Sequence, residues 1–220
     1  MEYLSERLKT IYKMVPKGIA ADIGADHGKL MIALFEGGII THGYAVENKK
    51  GPYNRLVKAL EERNLEEDVV PLFSDGISDL PEMVHTVIIA GMGGNNILDI
   101  LTKHPNKTNQ IDTLIIDAHT SIPKVRKGIC DLGFVIADEK MVREDGIFYE
   151  IIKFIRADRA VYGDKDIEFG PILRNEKSAM FKEKYIGRIV EIDKLLTNKS
   201  LPKNREHELK AEKERRQSIL

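Results

Sequence analysis

Short apolar runs alternate with longer segments of helical periodicity over the first two thirds of the chain. The runs are continuous and aliphatic, which is typical of strands buried on both faces of a parallel sheet. Repeated alternation of this kind predicts a doubly wound α/β sheet. The predicted strands are residues 19–23, 43–46, 69–73, 86–90 and 114–117, and the predicted helices are residues 29–37, 51–64, 95–103 and 121–132.

The pattern changes at both ends of this region. Residues 3–15 carry apolar positions at helical spacing ahead of a proline and a glycine, which predicts a helix packed on the sheet. Two apolar runs, 133–142 and 147–156, flank Glu144-Asp145-Gly146. Asp-Gly between apolar runs predicts a hairpin, so we expect the sheet to end in an antiparallel pair.

The last fifty residues contain no predicted strand. Phe181, Tyr185, Ile189, Ile192 and Leu196 form an apolar stripe on one helix, which should end before Pro202 and be followed by a second, more polar helix. This pattern predicts a coiled-coil-like helical hairpin. We therefore expect a main domain over residues 1–160 and a helical hairpin over residues 170–220.

Composition narrows the class of protein. The chain has 220 residues, enough for one domain and an appendage, and no apolar run approaches the roughly 20 residues that span a bilayer. Its single cysteine, Cys130, excludes an internal disulfide and a cysteine-rich metal site. With no apolar signal segment at the N-terminus, we expect a cytoplasmic protein. No His/Cys cluster has the spacing of metal ligands, so we expect that the protein needs no metal.

Charge is distributed unevenly, although the net charge is only −1. Residues 174–220 hold 13 Lys/Arg and 8 Asp/Glu, whereas the rest of the chain holds 21 and 27. A basic tail on an acidic body suggests a polyanionic partner, and a solvated helix of mixed charge is the alternative. The apolar stripe would also serve a hairpin that forms a weak homodimer, so monomer and dimer both stay open.

The segment ADIGADHGKL predicts a strand, a glycine turn and a helix start, an arrangement that commonly holds a nucleotide. Asp26 stands where the dinucleotide fingerprint has its second glycine, and a carboxylate there would repel pyrophosphate. A ligand with a cationic end and no phosphate, such as S-adenosylmethionine (SAM), fits better. Asp22 and Asp26 would then face the methionine ammonium, and the alternative for Asp26 is a helix cap.

Three further strand ends agree with a nucleoside site. Glu47 ends the second strand, where an acid accepts hydrogen bonds from ribose hydroxyls. Asp75 ends the third and could accept from the adenine amine, with Gly76 leaving room for the ring. The fourth strand ends in IIAGMGG, residues 88–94, which places bare backbone beside a ligand.

The segments ADIGADHGKL, ENKKGPYNRLVKAL, FSDGI, VIIAGMGG and REDGIFYEII resemble the bacterial tRNA (adenine-22-N1)-methyltransferases, the TrmK family. The resemblance implies a class I SAM-dependent methyltransferase fold and methyl transfer to N1 of an adenine in tRNA. The cofactor residues that it implies are Gly24, Asp26, His27, Glu47, Asp75 and Gly76. It also implies that the floor between cofactor and base is formed by Gly91, Met92, Gly93 and Gly94.

Two departures from the family pattern fall on the substrate side. Lys29 replaces an aromatic residue, and Asp117-Ala118-His119 replaces Gln-Pro-Asn at the end of the fifth strand. Gly91, Met92 and Asp117 are the candidate catalytic residues, because a carboxylate or carbonyl oxygen would stabilise positive charge on the adenine. For Asp117 a buried strand-end cap is the alternative. The expected substrate contacts are Arg7, Lys29, His119, Lys182, Arg188 and Arg205, with further tail contacts from Lys184, Lys203, Lys213, Arg215 and Arg216.

Three other functions stay open from the residues alone. The chain could be a Rossmann oxidoreductase, although the broken glycine fingerprint disfavours it. It could be an RNA-binding protein with a vestigial pocket, or a methyltransferase that acts on another acceptor.

Overall fold

Seven strands form one sheet at the centre of the protein, and the computed structural model describes residues 4–158, 160–198 and 200–220. The strands are β1 (Gly18–Ile23), β2 (Ile40–Glu47), β3 (Val69–Phe73), β4 (Thr86–Gly93), β5 (Thr113–Thr120), β6 (Phe134–Glu144) and β7 (Ile147–Arg156). Their spatial order is β3-β2-β1-β4-β5-β7-β6. The first five are parallel, and β7 is antiparallel to both β5 and β6. The predicted doubly wound sheet and its antiparallel end are confirmed.

The central strands are buried on both faces, which explains their continuous apolar sequence. Val87, Ile88 and Ile89 of β4 are consecutive in the chain, and none of them is exposed. Because successive side chains of a strand point to opposite faces, both faces of β4 must be covered by helices.

Ten helices surround the sheet within the described residues. They are α1 (Glu6–Met14), α2 (Lys29–Glu36), α3 (Lys50–Glu61), α4 (Gly94–Lys103), α5 (Pro105–Gln110), α6 (Ile122–Asp131), α7 (Asp164–Phe169), α8 (Pro171–Glu176), α9 (Ala179–Leu196) and α10 (Lys203–Gln217). Helices α5, α7 and α8 were not predicted from the sequence. Each has six residues, which is too short to show a helical period.

Helix α1 carries a side chain that becomes important at the site. It begins after Ser5, whose Oγ accepts a hydrogen bond from the Leu8 amide at 3.4 Å. Ile11 and Met14 on its inner face are buried in the core. This packing holds Arg7, in the first turn, over the ends of β5, β6 and β7.

Helices α9 and α10 form the predicted hairpin, and its base packs on the edge strand β6. The cluster at the base contains Phe169, Leu173, Phe181, Tyr185 and Ile219, all buried, with Met141 of β6 against it. This contact ties the hairpin to the sheet. The division into domains at residues 160 and 170 stays a prediction.

A buried ionic network adds a second connection between hairpin and sheet. The Arg126 guanidinium donates to Glu139 at 2.8 Å and to Glu150 at 2.5 Å, and all three side chains are almost completely buried. Lys184 of α9 pairs with the other carboxylate oxygen of Glu150. Single removal of a partner from such a group leaves a buried charge unpaired, which makes the network sensitive to mutation.

Candidate active site

The carboxyl ends of β1, β2, β3 and β4 meet at one edge of the sheet, where a cavity of about 570 Å³ opens. Ligands of open α/β sheets bind at this edge. Six of the residues predicted for the cofactor line the cavity: Gly24, Asp26, Glu47, Asp75, Gly76 and Met92.

The turn after β1 is held against the end of β2. The amides of Gly24 and Ala25 donate to the Val46 carbonyl at 2.9 and 3.2 Å, and the Asp26 amide donates to Glu47 Oε1 at 2.7 Å. Gly24 has a φ of +80°, and a Cβ there would lie 2.5 Å from the Met92 side chain. The turn therefore requires glycine at this position and brings the turn, Glu47 and Met92 together.

Asp26 does not cap helix α2, so that alternative is wrong. The residue at the cap is Gly28, and no side chain bonds to the first turn there. The Asp26 carboxylate, about half exposed, instead accepts a hydrogen bond from Arg55 Nη2 at 2.8 Å. Its other oxygen lies 3.7 Å from His27 Nε2. Asp26 lines the large cavity while Arg55 holds part of its charge.

A second cavity, of about 250 Å³, adjoins the first at Gly24 and Asp26. It is also lined by Asp22, His27, Arg7 and Lys29, so it presents charges of both signs. Asp22 is buried, and its burial together with the nearby Glu47 charge raises the pKa of this carboxyl to about 7.

The far wall of the large cavity comes from one face of α4 and the residue after it. Asn96, Asp99, Ile100, Lys103 and His104 line it, and the sequence analysis missed all five. Successive members of this set are three or one residues apart, which is the spacing of one helix face. This spacing could have identified them once the end of β4 was assigned to the site.

The Asp75 carboxylate lies at this wall in an ion pair. It contacts the Lys103 ammonium, whose hydrogen bond and charge hold the pKa of Asp75 below its usual value. Asn48 adds a second hydrogen bond. Asp75 is more than half exposed, so its carboxylate is within reach of a ligand in the cavity.

Residues 4–158, 160–198 and 200–220 contain neither a membrane-spanning helix nor a metal-binding cluster of side chains. None of the helices there is both long and apolar enough to cross a bilayer. The same residues hold no group of three or more His, Cys, Asp or Glu side chains arranged to bind a metal ion.

Comparison with known proteins decides the family. Residues 4–152 match the model of a methyltransferase domain. The structure of Sp1610 from Streptococcus pneumoniae, assigned as a tRNA (m1A22) methyltransferase, superposes with a TM-score of 0.92, is 31% identical and covers 99% of both chains. The chain belongs to the TrmK family of class I methyltransferases.

One further relative and a second Sp1610 structure agree with this family. The tRNA (adenine(22)-N(1))-methyltransferase of Bacillus subtilis is 29% identical over 189 residues, which are 83% of this chain and 79% of that protein. A second Sp1610 structure, in complex with S-adenosyl-L-methionine, is 30% identical, has a TM-score of 0.90 and covers 99% of both chains. The family resemblance read from the motifs is thereby confirmed.

A charged cluster lies at the end of β5, beside the second cavity. Arg7 Nε lies 3.4 Å from Asp117 Oδ2, and Arg7 Nη1 donates to His119 Nε2 at 2.7 Å. The Arg7 guanidinium also lies over the ring of Tyr149, 4.8 Å from its centre. Arg7 and His119 were predicted for the substrate side, whereas Tyr149 of β7 was missed, because nothing in its local sequence distinguishes it from other strand residues.

Asp117 is completely buried, and its burial raises the pKa of the carboxyl to about 6 despite the Arg7 charge. Neither of its oxygens has a hydrogen-bond partner in the part of the chain that the structure describes. The interpretation of Asp117 as a strand-end cap is therefore wrong. Burial and the Arg7 charge also lower the pKa of His119.

The glycine-rich residues at the end of β4 are distributed unevenly. Met92 lines the large cavity, but Gly91 and Gly93 line neither of the two cavities. Gly91 has a φ of +80°, and a Cβ there would meet no atom within 4 Å. The roles of Gly91, Met92 and Gly93 in cofactor binding, and of Gly91 and Met92 in catalysis, stay predictions.

The basic tail is largely neutralised by acids of the protein itself. Ion pairs join Lys184 to Glu150, Arg188 to Glu212, Arg205 to Glu208, Lys213 to Asp193, Arg215 to Glu168 and Arg216 to Glu212. Lys182 and Lys203 are exposed. Contacts of these side chains with RNA stay a prediction.

Proposed function

We propose that this protein transfers the methyl group of SAM to N1 of an adenine, position 22, in tRNA. The observation that carries the proposal is the pair of adjoining cavities at the carboxyl edge of the sheet, one with Glu47 and Asp75 and the other with charges of both signs. Full-length similarity to Sp1610, which is assigned to this reaction and has a structure with SAM, supports it.

The residues present fit this cofactor. One carboxylate oxygen of Glu47 accepts a hydrogen bond from the Asp26 amide. The Glu47 side chain also lines the large cavity, where it can accept hydrogen bonds from ribose hydroxyls. Asp75 can accept from the adenine amine at the α4 wall. In the second cavity Asp22 suits an ammonium, while Lys29 suits a carboxylate. When bound, SAM supplies an electrophilic methyl group on a sulfonium.

The protein's own part in the reaction is to position an unpaired base and keep water out. N1 of adenine carries a free lone pair, so no strong base is needed. Exposing the base costs a few kcal/mol of unstacking, and holding N1 in line contributes several kcal/mol to lowering the barrier. Positive charge develops on the adenine during the reaction. The carboxylate of Asp117, which is buried and pairs with Ala90 of β4 in the sheet, can stabilise that charge.

The helical hairpin is the part of the chain that we assign to tRNA. Contacts between lysine or arginine and phosphates set affinity without reading sequence, and they weaken as salt rises. Lys182 and Lys203 are exposed, and surface ion pairs such as that of Arg205 cost little to exchange for a phosphate.

Labelled SAM and unmodified total tRNA give the direct test. The protein is incubated with both, the tRNA is digested, and the labelled nucleoside is identified. We expect label in 1-methyladenosine, and sequencing of the modified tRNA should place it at position 22. A matched control is Glu47→Ala, which should lose transfer because it binds SAM poorly.

SAM binding is measured in parallel by calorimetry. Tight SAM binding without transfer to any tRNA would refute the proposal and favour another acceptor or an RNA-binding role. A change of NADH fluorescence on titration, without SAM binding, would favour an oxidoreductase.

A further inference from the structure

The guanidinium of Arg7 occupies a narrow slot that the fold builds from distant parts of the chain. One wall is the buried carboxylate of Asp117, 3.4 Å from Arg7 Nε. The other is the ring of Tyr149, with its centre 4.8 Å from the guanidinium carbon, and His119 accepts from Nη1 at the rim. The slot, formed by Asp117, His119 and Tyr149, therefore holds a planar cation beside a negative charge and over an aromatic face.

The Asp117 carboxylate lowers the stability of the fold, which suggests that the residue has a functional role. It is fully buried, and neither oxygen has a hydrogen-bond partner among the described residues. Arg7 Nε, which faces it, is also buried without a hydrogen bond. A buried polar group without a partner is costly, so an acceptor held ready in this way points to a ligand that donates to it.

The slot is next to the position where the methyl group must be delivered. Asp117 is opposite Ala90 in the sheet, and Ala118 is opposite Met92, which lines the large cavity. Arg7 and Ala90 both line the second cavity. The slot is therefore next to the second cavity, which Arg7 itself lines.

The expected product resembles the group that fills the slot. The lone pair of adenine N1 forms the bond to the methyl carbon, and the electron pair of the broken carbon–sulfur bond stays on sulfur. Positive charge then spreads over N1, C6 and N6 of the base, an amidinium. An amidinium and a guanidinium are both flat, both cationic and both carry N–H donors.

We propose that the slot between Asp117 and Tyr149 is the site of the target adenine, and that Arg7 fills it in the base-free protein. This inference rests on the proposed function. The Tyr149 ring stacks on the base, and Asp117 accepts from its exocyclic N6 amine and stabilises the charge that develops on methylation. A guanine would present its O6 acceptor to the carboxylate and be repelled, so Asp117 makes the site selective for adenine.

The test varies the base and the protein together. Two tRNA transcripts are compared, one with adenine at the target position and one with purine, which keeps N1 and lacks the N6 amine. The wild-type protein should favour adenine in kcat/KM by about 10- to 100-fold, the effect of one hydrogen bond to a charged group. In Asp117→Ala this preference should fall about 10-fold, because no acceptor is left for the amine, and what remains reflects the lower nucleophilicity of N1 in purine.

Two further pairs of measurements separate the role of the Asp117 charge from that of stacking on Tyr149. Asp117→Asn keeps an oxygen acceptor and loses the charge, so it should keep part of the preference for adenine while kcat falls about 10- to 100-fold. Tyr149→Ala should raise KM for tRNA by about 5- to 100-fold, and Tyr149→Phe, which keeps the ring, should recover most of that loss.

Glu144→Gln is the matched control. Glu144 Oε2 lies 3.9 Å from Arg7 Nε, but its side chain is partly exposed and outside the slot. Its preference for adenine over purine should equal that of the wild-type protein. SAM affinity, measured by calorimetry, should stay unchanged in both Asp117 variants, which also shows that they are folded.

Two results would overturn the inference. Only the second of them would also overturn the proposed function. If Asp117→Ala keeps the wild-type rate and the wild-type preference for adenine, the slot is not the base site, and the proposed function stands. If the wild-type protein binds SAM and methylates no adenine in tRNA, the proposed function and this inference both fall.

Discussion

Replacing Asp117 by asparagine should change how stability depends on pH. The carboxyl has a pKa of 3.8 in its unperturbed state, and burial raises this to about 6 in the folded protein. Between these values the native state holds a proton that the unfolded state has lost. The free energy of unfolding of the wild-type protein therefore falls as pH rises through this window.

The magnitude follows from the shift. About two pH units at about 1.4 kcal/mol each amount to roughly 3 kcal/mol in all, of which about 1.4 kcal/mol is lost between pH 5 and pH 8. The amide of the Asp117→Asn variant does not titrate, so the free energy of the variant minus that of the wild-type protein should rise by about 1.4 kcal/mol over the same range. Asp22 also has a raised pKa, but it is present in both proteins and cancels in the difference.

Urea unfolding at pH 5 and pH 8 measures this difference directly. Both pH values lie away from the pI of about 6.6, which keeps the protein in solution. A difference that stays constant between the two pH values would show that Asp117 is ionised in the folded protein at pH 5. Burial of Asp117 would then not outweigh the effect of the Arg7 charge on its pKa.

Three further changes test other parts of the structure. Glu47→Ala should weaken SAM binding by about 10- to 100-fold in calorimetry, because the ribose loses its acceptor, whereas Glu62→Ala on the exposed end of α3 should not change it. Glu150→Gln should lower the free energy of unfolding in urea by about 3–5 kcal/mol, because Arg126 is left buried with one partner fewer, and a loss below about 1 kcal/mol would contradict that account. Lys182→Ala with Lys203→Ala should weaken tRNA binding and make the dependence of log Kd on log salt less steep, while unchanged slopes would place the RNA elsewhere.

The framework of the site was predictable because it depends on local sequence. Each strand of the parallel sheet is a continuous apolar run, and the residue that follows it must lie at the same edge as its neighbours. Glu47 and Asp75 could therefore be assigned to one site without knowledge of the tertiary structure, and the structure brings them to one cavity. The residues of α4 were missed because the helix was not connected to the strand end before it.

The partners of charged side chains were not predictable, because they depend on tertiary contacts. The count of lysines and arginines in the tail suggested a basic surface, but it could not show that Arg188 faces Glu212 or that Lys184 faces Glu150 across the fold. Asp26 lines the large cavity, and its sequence could not show that Arg55, 29 residues further along the chain, donates a hydrogen bond to its carboxylate.

Two acids in unfavourable environments, Asp22 on β1 and Asp117 on β5, lie on the two strands that flank β4. Asp22 is buried beside Glu47, and Asp117 is buried without a hydrogen bond, so each costs stability that a neutral residue would not. Such groups persist where a ligand supplies the missing partner, because the cost is then recovered on binding. An ammonium suits Asp22, and an adenine amine that becomes part of a cation suits Asp117. The same burial that lowers stability in the free protein makes each carboxylate a stronger acceptor once water has been excluded.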